Sequence, residues 1–349
     1  WLSGWDGPDT TLRWSTLAKM PGSRGSCNFT VPSAVSVMVT QPDSPDKAIS
    51  TGGERLSLRI TNEGGERNMR RREGSLPSLI VIGAMKAGTT SLHYYLRQHP
   101  QVFMSTEKEL NYFIRERNWD RGLAWYKSQF RQVAVVRGEA SPNYTCYPVF
   151  QGVAERMHAA VPNARLIYLL RAPLDRIISQ YVHHYAMGLE NRSFDEVLSE
   201  MDCNYFVCPS EYGLQLQEYL RFYDPSQILV ITTEDLSSHR RDVLQRIFRF
   251  LEIDDTFWSP RFAAVRYQSN LLRRNNRIGR CLKWAFDRSG LDRVSPDYAW
   301  RLSRAVTLPF SRPVEKPVLD NPTRHRLLER LGPDIQRLSD LTGRDFAEW

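Results

Sequence analysis

The chain is poor in cysteine, with 5 in 349 residues, Cys27, Cys146, Cys203, Cys208 and Cys281. That number excludes a disulfide-built scaffold, and no paired CxxC motif offers a zinc site. The expected state is free thiols, with Cys203 and Cys208 the one pair near enough in sequence to bridge in an oxidising compartment. Long apolar runs are missing too: none approaches the ~18 residues that a bilayer crossing needs. No basic-then-apolar leader follows Trp1. Low-complexity and collagen-like composition are absent, and no internal repeat is visible.

What is there is globular material: 41% hydrophobic and 25% charged residues, enough to build a sizeable core. The formal net charge is +8. Residues 266–315 hold eleven Lys/Arg against four Asp/Glu, nearly the whole excess. A basic balance concentrated in this way suits an anionic partner such as a phosphate, a sulfate, a nucleic acid or a polyanionic sugar.

Residues 1–74 are rich in Gly, Ser, Pro and charge, with Val35–Val39 an isolated strand-like stretch. They are expected to be poorly ordered or loosely attached, with Met69 a candidate start of the ordered chain. From residue 75 onward the pattern alternates. Ser78–Ile82 (SLIVI), Arg165–Leu170 (RLIYLL) and Gln227–Ile231 (QILVI) are short continuous apolar runs, as buried parallel strands are. Val133–Val136 is a weaker fourth run. Helical stretches follow: Thr89 to about His99, stopped by Pro100, then Pro173 to about Met187, then Ser238 to Leu251. A last amphipathic helix covers about Asn321–Leu341. Strands alternating with helices predict a three-layer α/β fold with a central, mostly parallel sheet flanked by helices.

The first strand runs into Gly83-Ala-Met-Lys86-Ala-Gly88 and then Thr89, Thr90 and Ser91. A glycine-bearing loop between a buried strand and a helix is an anion cradle, because backbone N–H groups and the helix N-terminus face the ligand. Gly83 and Gly88 have the spacing of a nucleotide P-loop, but Thr89 stands where its lysine belongs, and the lysine has moved to Lys86. This departure disfavours a magnesium-dependent triphosphatase.

PSLIVIGAMKAGTTSL (Pro77–Leu92) resembles the 5′-phosphosulfate loop of sulfotransferases that use 3′-phosphoadenosine 5′-phosphosulfate, in the form K-x-G-T-T-S-L of the heparan sulfate and bacterial branch. The resemblance implies a P-loop-like fold over residues 75–349. It also implies that Lys86, Ala87, Gly88, Thr89, Thr90 and Ser91 hold the 5′-phosphate and sulfuryl group, without a metal. Residues 170–181 (LRAPLDRIISQY) resemble the family's 3′-phosphate motif LRxPxxRxxSxY, with Arg171 and Ser179 as ligands. Arg171 stands at a strand's C-terminal end, where ligands of open α/β sheets gather. Read in isolation it equally caps or pairs locally, and Arg176 is a candidate for a structural ion pair.

Sulfuryl transfer needs a proton acceptor and a cation on the leaving phosphate. KELNYF (Lys108–Phe113) resembles the family's KExxxF segment, whose Glu is the proposed base. Glu109 takes that place, with Lys86 as the leaving-group cation. Glu107 and Lys108 are expected to be solvated or to pair with each other. His183 lies four residues beyond Ser179, on the same helix face, and matches a histidine of heparan sulfate N-sulfotransferases near the sulfuryl group. His93, His99 and His158 are expected to be structural. Glu139 and Ser141 either touch the acceptor or fix their loop, the second being favoured. Ala140 stands where eukaryotic members often have lysine, which leaves more of the charge neutralisation to Lys86.

Arg273 and Arg274 open the basic segment, where the family's loop closes over the 3′-phosphate. The Lys-Gly element between two cysteines that marks heparan-type members is missing, which counts against heparan sulfate as the acceptor. The implied co-substrate is 3′-phosphoadenosine 5′-phosphosulfate, and the implied product is 3′,5′-adenosine bisphosphate. The expected partner is an acceptor bearing a hydroxyl or amine, a carbohydrate, a lipid or a small metabolite, with the first two favoured and no nucleic acid. The alternatives are a nucleotide kinase or triphosphatase, with Asp235 as a magnesium carboxylate, and a non-catalytic polyanion binder. The expected location is cytoplasmic, with the Golgi lumen as alternative if an anchor precedes this chain.

Overall fold

The computed structural model describes residues 75–199, 204–264, 272–289 and 296–349. Expectations on residues 1–74, including Val35–Val39 and Met69, lie outside them, as does any Cys203–Cys208 bridge. Cys146 and Cys281 are free thiols.

Among the described residues the main sheet has five strands: β1 (Leu79–Gly83), β2 (Val102–Met104), β3 (Val136–Ala140), β4 (Arg165–Leu170) and β5 (Ile228–Thr232). Their order is β2-β3-β1-β4-β5, and every pairing is parallel. Helices connect them: α1 (Thr89–Leu96), α2 (Gly122–Ser128), α3 (Val153–Ala160), α4 (Pro173–Met187), α5 (Phe194–Ser199) and α6 (Tyr212–Leu220). After β5 come α7 (Thr233–Ser238) and α8 (Arg240–Phe250). A separate antiparallel pair, β6 (Arg273–Asn275) and β7 (Ser311–Pro313), brackets α9 (Arg277–Arg288) and α10 (Pro296–Thr307), and α11 (Asn321–Thr342) closes the chain.

β1 is central and all five of its residues are buried, which is why it reads as an unbroken apolar run. α4 begins with Pro173 at its first turn and ends at Gly188, whose φ of 74° suits glycine. Its inner face, Leu174, Ile177, Tyr181 and Val182, shares a core with Phe194, Val197 and Leu198 of α5 and Leu327 and Leu331 of α11. The helix bearing the arginine–serine motif is therefore wedged from two sides.

Three expectations are corrected. The fourth strand is Val136–Ala140, not Val133–Val136. Val133 and Val135 are 82% and 62% exposed, whereas Glu139 is buried because three hydroxyls neutralise its cost. Tyr126 (2.6 Å), Ser141 (2.6 Å) and Tyr144 (2.9 Å) all donate to its carboxylate. The helix after β5 starts five residues early, at Thr233, because the Thr232 hydroxyl caps Asp235 N at 3.1 Å. It then breaks at His239 before α8. Arg176 makes no ion pair among the described residues. It is fully buried and donates to Ser210 Oγ (2.5 Å), Gln180 Oε1 (2.6 Å) and the carbonyl of Phe206. Neutral oxygens satisfy its fork, and burial pulls its pKa down.

Candidate active site

β1 and β4 are neighbours, so the turns leaving their C-terminal ends lie side by side. Ala84 N donates to Leu169 O at 2.6 Å, stitching the two strand ends together. Beyond that point the first chain turns through Lys86, at φ 67°, and Gly88, at φ 89°. Gly88 is the N-cap of α1, a left-handed position where its missing Cβ matters. Thr89 and Thr90 open the helix, so their backbone N–H groups have no intrahelical acceptor and are available to an anion. Gly83 is required by packing instead: a Cβ there would fall 2.0 Å from Thr145 Oγ1.

Arg171 emerges from β4 beside this loop. Its Nη1 lies 3.5 Å from the carbonyl oxygen of Lys86, and its Nη2 lies 3.2 Å from Asp175 Oδ2. Tyr212 donates to Arg171 O at 2.8 Å, and Ala172 N donates to Glu234 Oε1 at 3.0 Å, so the turn is clamped on both sides. Ser179 is buried two turns down α4. Lys86 is partly buried, and this desolvation pulls its pKa down to about 8, with Glu109 opposing the shift and Arg171 and Lys108 adding to it. Lys86, Arg171 and Glu109 thus share one electrostatic locus.

Glu109 stands on the connection between β2 and α2 at a φ of 66°. Its N–H donates to Ala140 O at 3.0 Å, and its carbonyl accepts from Asn111 Nδ2 at 2.8 Å. Asn111, at φ 49°, donates its N–H to Ser141 Oγ at 3.0 Å and accepts from Asn143 Nδ2 at 3.1 Å. Left-handed backbone is unfavourable for such residues unless the surroundings hold it; here the exit of β3 does. Glu139 and Ser141 fix this loop. The carboxylate of Glu109 pairs with Lys108 Nζ at 2.6 Å; Glu107 is exposed, so of the two alternatives for Glu107 and Lys108, a mutual pair and solvation, Glu107 takes the second and Lys108 turns to Glu109.

His183 faces the same locus from α4. Burial pulls its pKa down to about 4, with Lys86 lowering it further and Glu109 opposing. Its Nδ1 is buried without a hydrogen-bond partner. His184 beside it is also held down to about 4, chiefly by burial. His93 and His99 bond the carbonyls of Ser105 (3.2 Å) and Asp254 (2.9 Å).

Arg273 and Arg274 are engaged by β7 and by the end of α4. Arg273 donates to Ser311 Oγ (2.9 Å) and Ser311 O (2.7 Å). Arg274 stacks 3.9 Å from the Tyr185 ring and donates to Asn191 Oδ1 at 2.5 Å.

Sequence reasoning missed Thr233. Its hydroxyl lies 2.5 Å from Ala87 O and 2.8 Å from Leu170 O, bridging the two anion-facing turns. The available signal was the C-terminal end of the QILVI run, now β5, where Thr232-Thr233-Glu234-Asp235 caps and begins a helix. The Asp235 carboxylate, the magnesium ligand of the kinase alternative, is engaged by Arg344 Nη1 at 2.7 Å.

The open parallel sheet thus brings together a lysine-bearing turn after its central strand, an arginine after the neighbouring one and the carboxylate of Glu109, which acts electrostatically on that lysine. The model of the Sulfotransferase domain family matches residues 76–268, more than half of the chain, and the chain belongs to that family. It is 42% identical over 111 residues, 30% of this chain and 22% of the relative, to the membrane-associated sulfotransferase kil1 of Dictyostelium discoideum. It is 29% identical over 208 residues to a bifunctional heparan sulfate N-deacetylase/N-sulfotransferase of Drosophila melanogaster, covering 51% of this chain and 20% of that one. A human relative of the same name, numbered 2, is 29% identical over 200 residues, 51% of this chain and 22% of that one. The chain therefore spans about a fifth of the length of these curated relatives. A sulfotransferase structure from Alicyclobacillus acidocaldarius shares the fold, with a TM-score of 0.57 at 24% identity over 79% of this chain and 99% of that one.

These relatives correct the expected cytoplasmic location, since one is named for membrane association and the others act with heparan sulfate in their names. No helix among the described residues is long and apolar enough to cross a membrane.

Proposed function

We propose that this chain transfers the sulfuryl group of 3′-phosphoadenosine 5′-phosphosulfate to a hydroxyl or amine of a carbohydrate or lipid acceptor. The donor is a substrate, and the residues present suit it. The start of α1 and Lys86 offer N–H groups and a cation to the 5′ end, while Arg171 and the buried Ser179 offer a fork and a hydroxyl to the 3′-phosphate. The observation that carries the reading is the adjacency of Arg171 and the Lys86 loop, with Nη1 3.5 Å from Lys86 O.

Glu109 takes the proton of the acceptor as its oxygen or nitrogen attacks sulfur in line. The sulfur–oxygen bond to the donor phosphate breaks, and 3′,5′-adenosine bisphosphate leaves. Lys86 neutralises the charge that develops on the leaving phosphate oxygen. With a pKa of about 8, it is mostly protonated at neutral pH and close enough to neutrality to give up a proton. His183 is neutral there, held down to about 4. Its unpartnered Nδ1 makes it a hydrogen-bonding group at the sulfuryl position. The names of the heparan sulfate relatives support a carbohydrate acceptor. The missing Lys-Gly element counts against heparan sulfate itself, so the acceptor class is proposed more broadly.

Calorimetry with 3′,5′-adenosine bisphosphate and ATP, each without and with magnesium, tests the donor site. Tight binding of the bisphosphate and weak binding of ATP is expected. Preference for magnesium-ATP would instead restore the kinase reading. Transfer from labelled donor to a panel of glycans and glycolipids then tests the acceptor.

A further inference from the structure

Outside the site, the molecule's most unusual surface is built on α9 and the end of α4. Residues 272–289 hold six Lys/Arg and a single acidic residue, Asp287, which Lys283 already engages at 2.9 Å. α9 packs inward through Gly279, the only residue of the helix that is buried. A Cβ at Gly279 would press on Phe310 O at 3.0 Å. The opposite face carries Arg277, Cys281, Trp284 and Arg288, spaced four, seven and eleven residues along one side of the helix and all exposed. Trp284 and Ile278 each leave more than half of their surface in water. Arg288 rests 4.6 Å from the Trp284 ring.

The patch continues onto the end of α4. Met187 and Leu189 are also more than half exposed. Gly188 between them is close to α9, since a Cβ there would lie 3.9 Å from Arg280 Nη1. Trp284 thus projects on the face that carries Arg277 and Arg288, and Met187 and Leu189 flank the approach of Gly188 to Arg280.

We infer that this face docks the protein onto an anionic lipid surface. Two properties select that occupant. The charge is positive but for Asp287, which Lys283 engages, so the partner is anionic. The projecting groups include an indole and aliphatic chains, which a hydrated polyanionic sugar leaves in water but a headgroup–acyl boundary buries. A tryptophan flanked by arginines on a short amphipathic helix is the composition that lies in that boundary, and each cation adds attraction to acidic headgroups. The docked face would stand at the end of α4, the helix that also carries Ser179 and His183, and so would bring lipid-borne acceptors to the site.

The test is co-sedimentation of the full chain with vesicles of phosphatidylcholine alone and with roughly a third phosphatidylserine. Binding is expected only to the second, with loss on added salt. Trp284→Ala and Arg280→Glu, both at exposed positions, should each weaken it by about tenfold. Lys86→Ala should leave vesicle binding intact while abolishing bisphosphate binding, which separates this inference from the proposed activity. No sedimentation with the acidic vesicles would overturn it, as would binding that Trp284→Ala leaves unchanged. Retention on heparin that requires these residues, without vesicle binding, would reassign the face to a glycan. A dimer that Trp284→Ala dissociates would reassign it to a second copy of the chain.

Discussion

Arg171 Nη1 lies 3.5 Å from the carbonyl oxygen of Lys86, 85 residues earlier in the chain. The contact follows from sheet order: β4 lies directly against β1, so two turns distant in sequence become neighbours, as the proposed donor site requires. Beyond that long contact Arg171 holds an exposed i,i+4 partner, Asp175, a weak pairing. Its fork is free to exchange that carboxylate for a phosphate. Arg171→Ala should therefore weaken 3′,5′-adenosine bisphosphate binding by about 10–100-fold, the value of a charge-assisted hydrogen bond. Calorimetry reads this directly, and unchanged affinity would remove Arg171 from the donor site.

The titration of Lys86 makes a signed prediction. Burial holds its pKa at about 8, so its cation is present below that value and lost above it. The phosphates are fully ionised above about pH 7, so they do not mask the change. Bisphosphate affinity should fall as pH rises through about 8, and binding near that pH should take up protons, because the anion favours the charged lysine. Calorimetry in buffers of different ionisation enthalpy measures the uptake. Lys86→Met should flatten the profile. A wild-type profile that is already flat between about pH 7 and about pH 9 would detach Lys86 from the anion.

Glu109 is held in left-handed backbone by Ala140 O and by Asn111, and its carboxylate is paired with Lys108 at 2.6 Å. Glu109→Gln keeps the shape and removes the proton acceptor. Turnover should drop by about 10²–10⁴-fold with bisphosphate affinity nearly unchanged. Single-turnover transfer from labelled donor separates the two. A variant that keeps full turnover would move the base elsewhere, with His183 next to be tested.

Much of the sheet and cradle was legible in the sequence because burial on both faces writes itself as apolar runs. SLIVI and RLIYLL became β1 and β4 with at most a one-residue shift. β3 was misread because its interior holds Arg137 and Glu139. A buried carboxylate is tolerable only when its hydroxyl donors are known, and Tyr126 and Tyr144 come from other segments. β2, three residues long, is too short to show any period. Within the candidate site, the turns bearing Lys86 and Arg171 were readable as turns because Gly88 and Pro173 each stand two residues on. The Lys108–Glu109 pair depends on the left-handed turn at Glu109, and the Thr233 bridge depends on β5 lying beside β4. Neither condition has a local signature.

That bridge gives the last prediction. One hydroxyl proton at Thr233 is shared between Ala87 O at 2.5 Å and Leu170 O at 2.8 Å, and Thr233 Cγ2 lies 3.7 Å from where a Gly88 Cβ would stand. The side chain thus ties the Lys86 loop to the Arg171 turn, and without it the two walls are joined at their base by Ala84 N to Leu169 O. Thr233→Val retains the shape but leaves both carbonyls short of a donor, which should cost about 1 kcal/mol in denaturant unfolding. A purely structural role would stop there. A positioning role also lowers bisphosphate affinity, because the phosphate ligands of the two turns no longer converge at a fixed distance. Thr233→Ser, which keeps the hydroxyl, should recover that affinity even if it recovers less of the stability. If Thr233→Val binds the bisphosphate as the wild type does, the strand pairing alone sets the distance between Lys86 and Arg171.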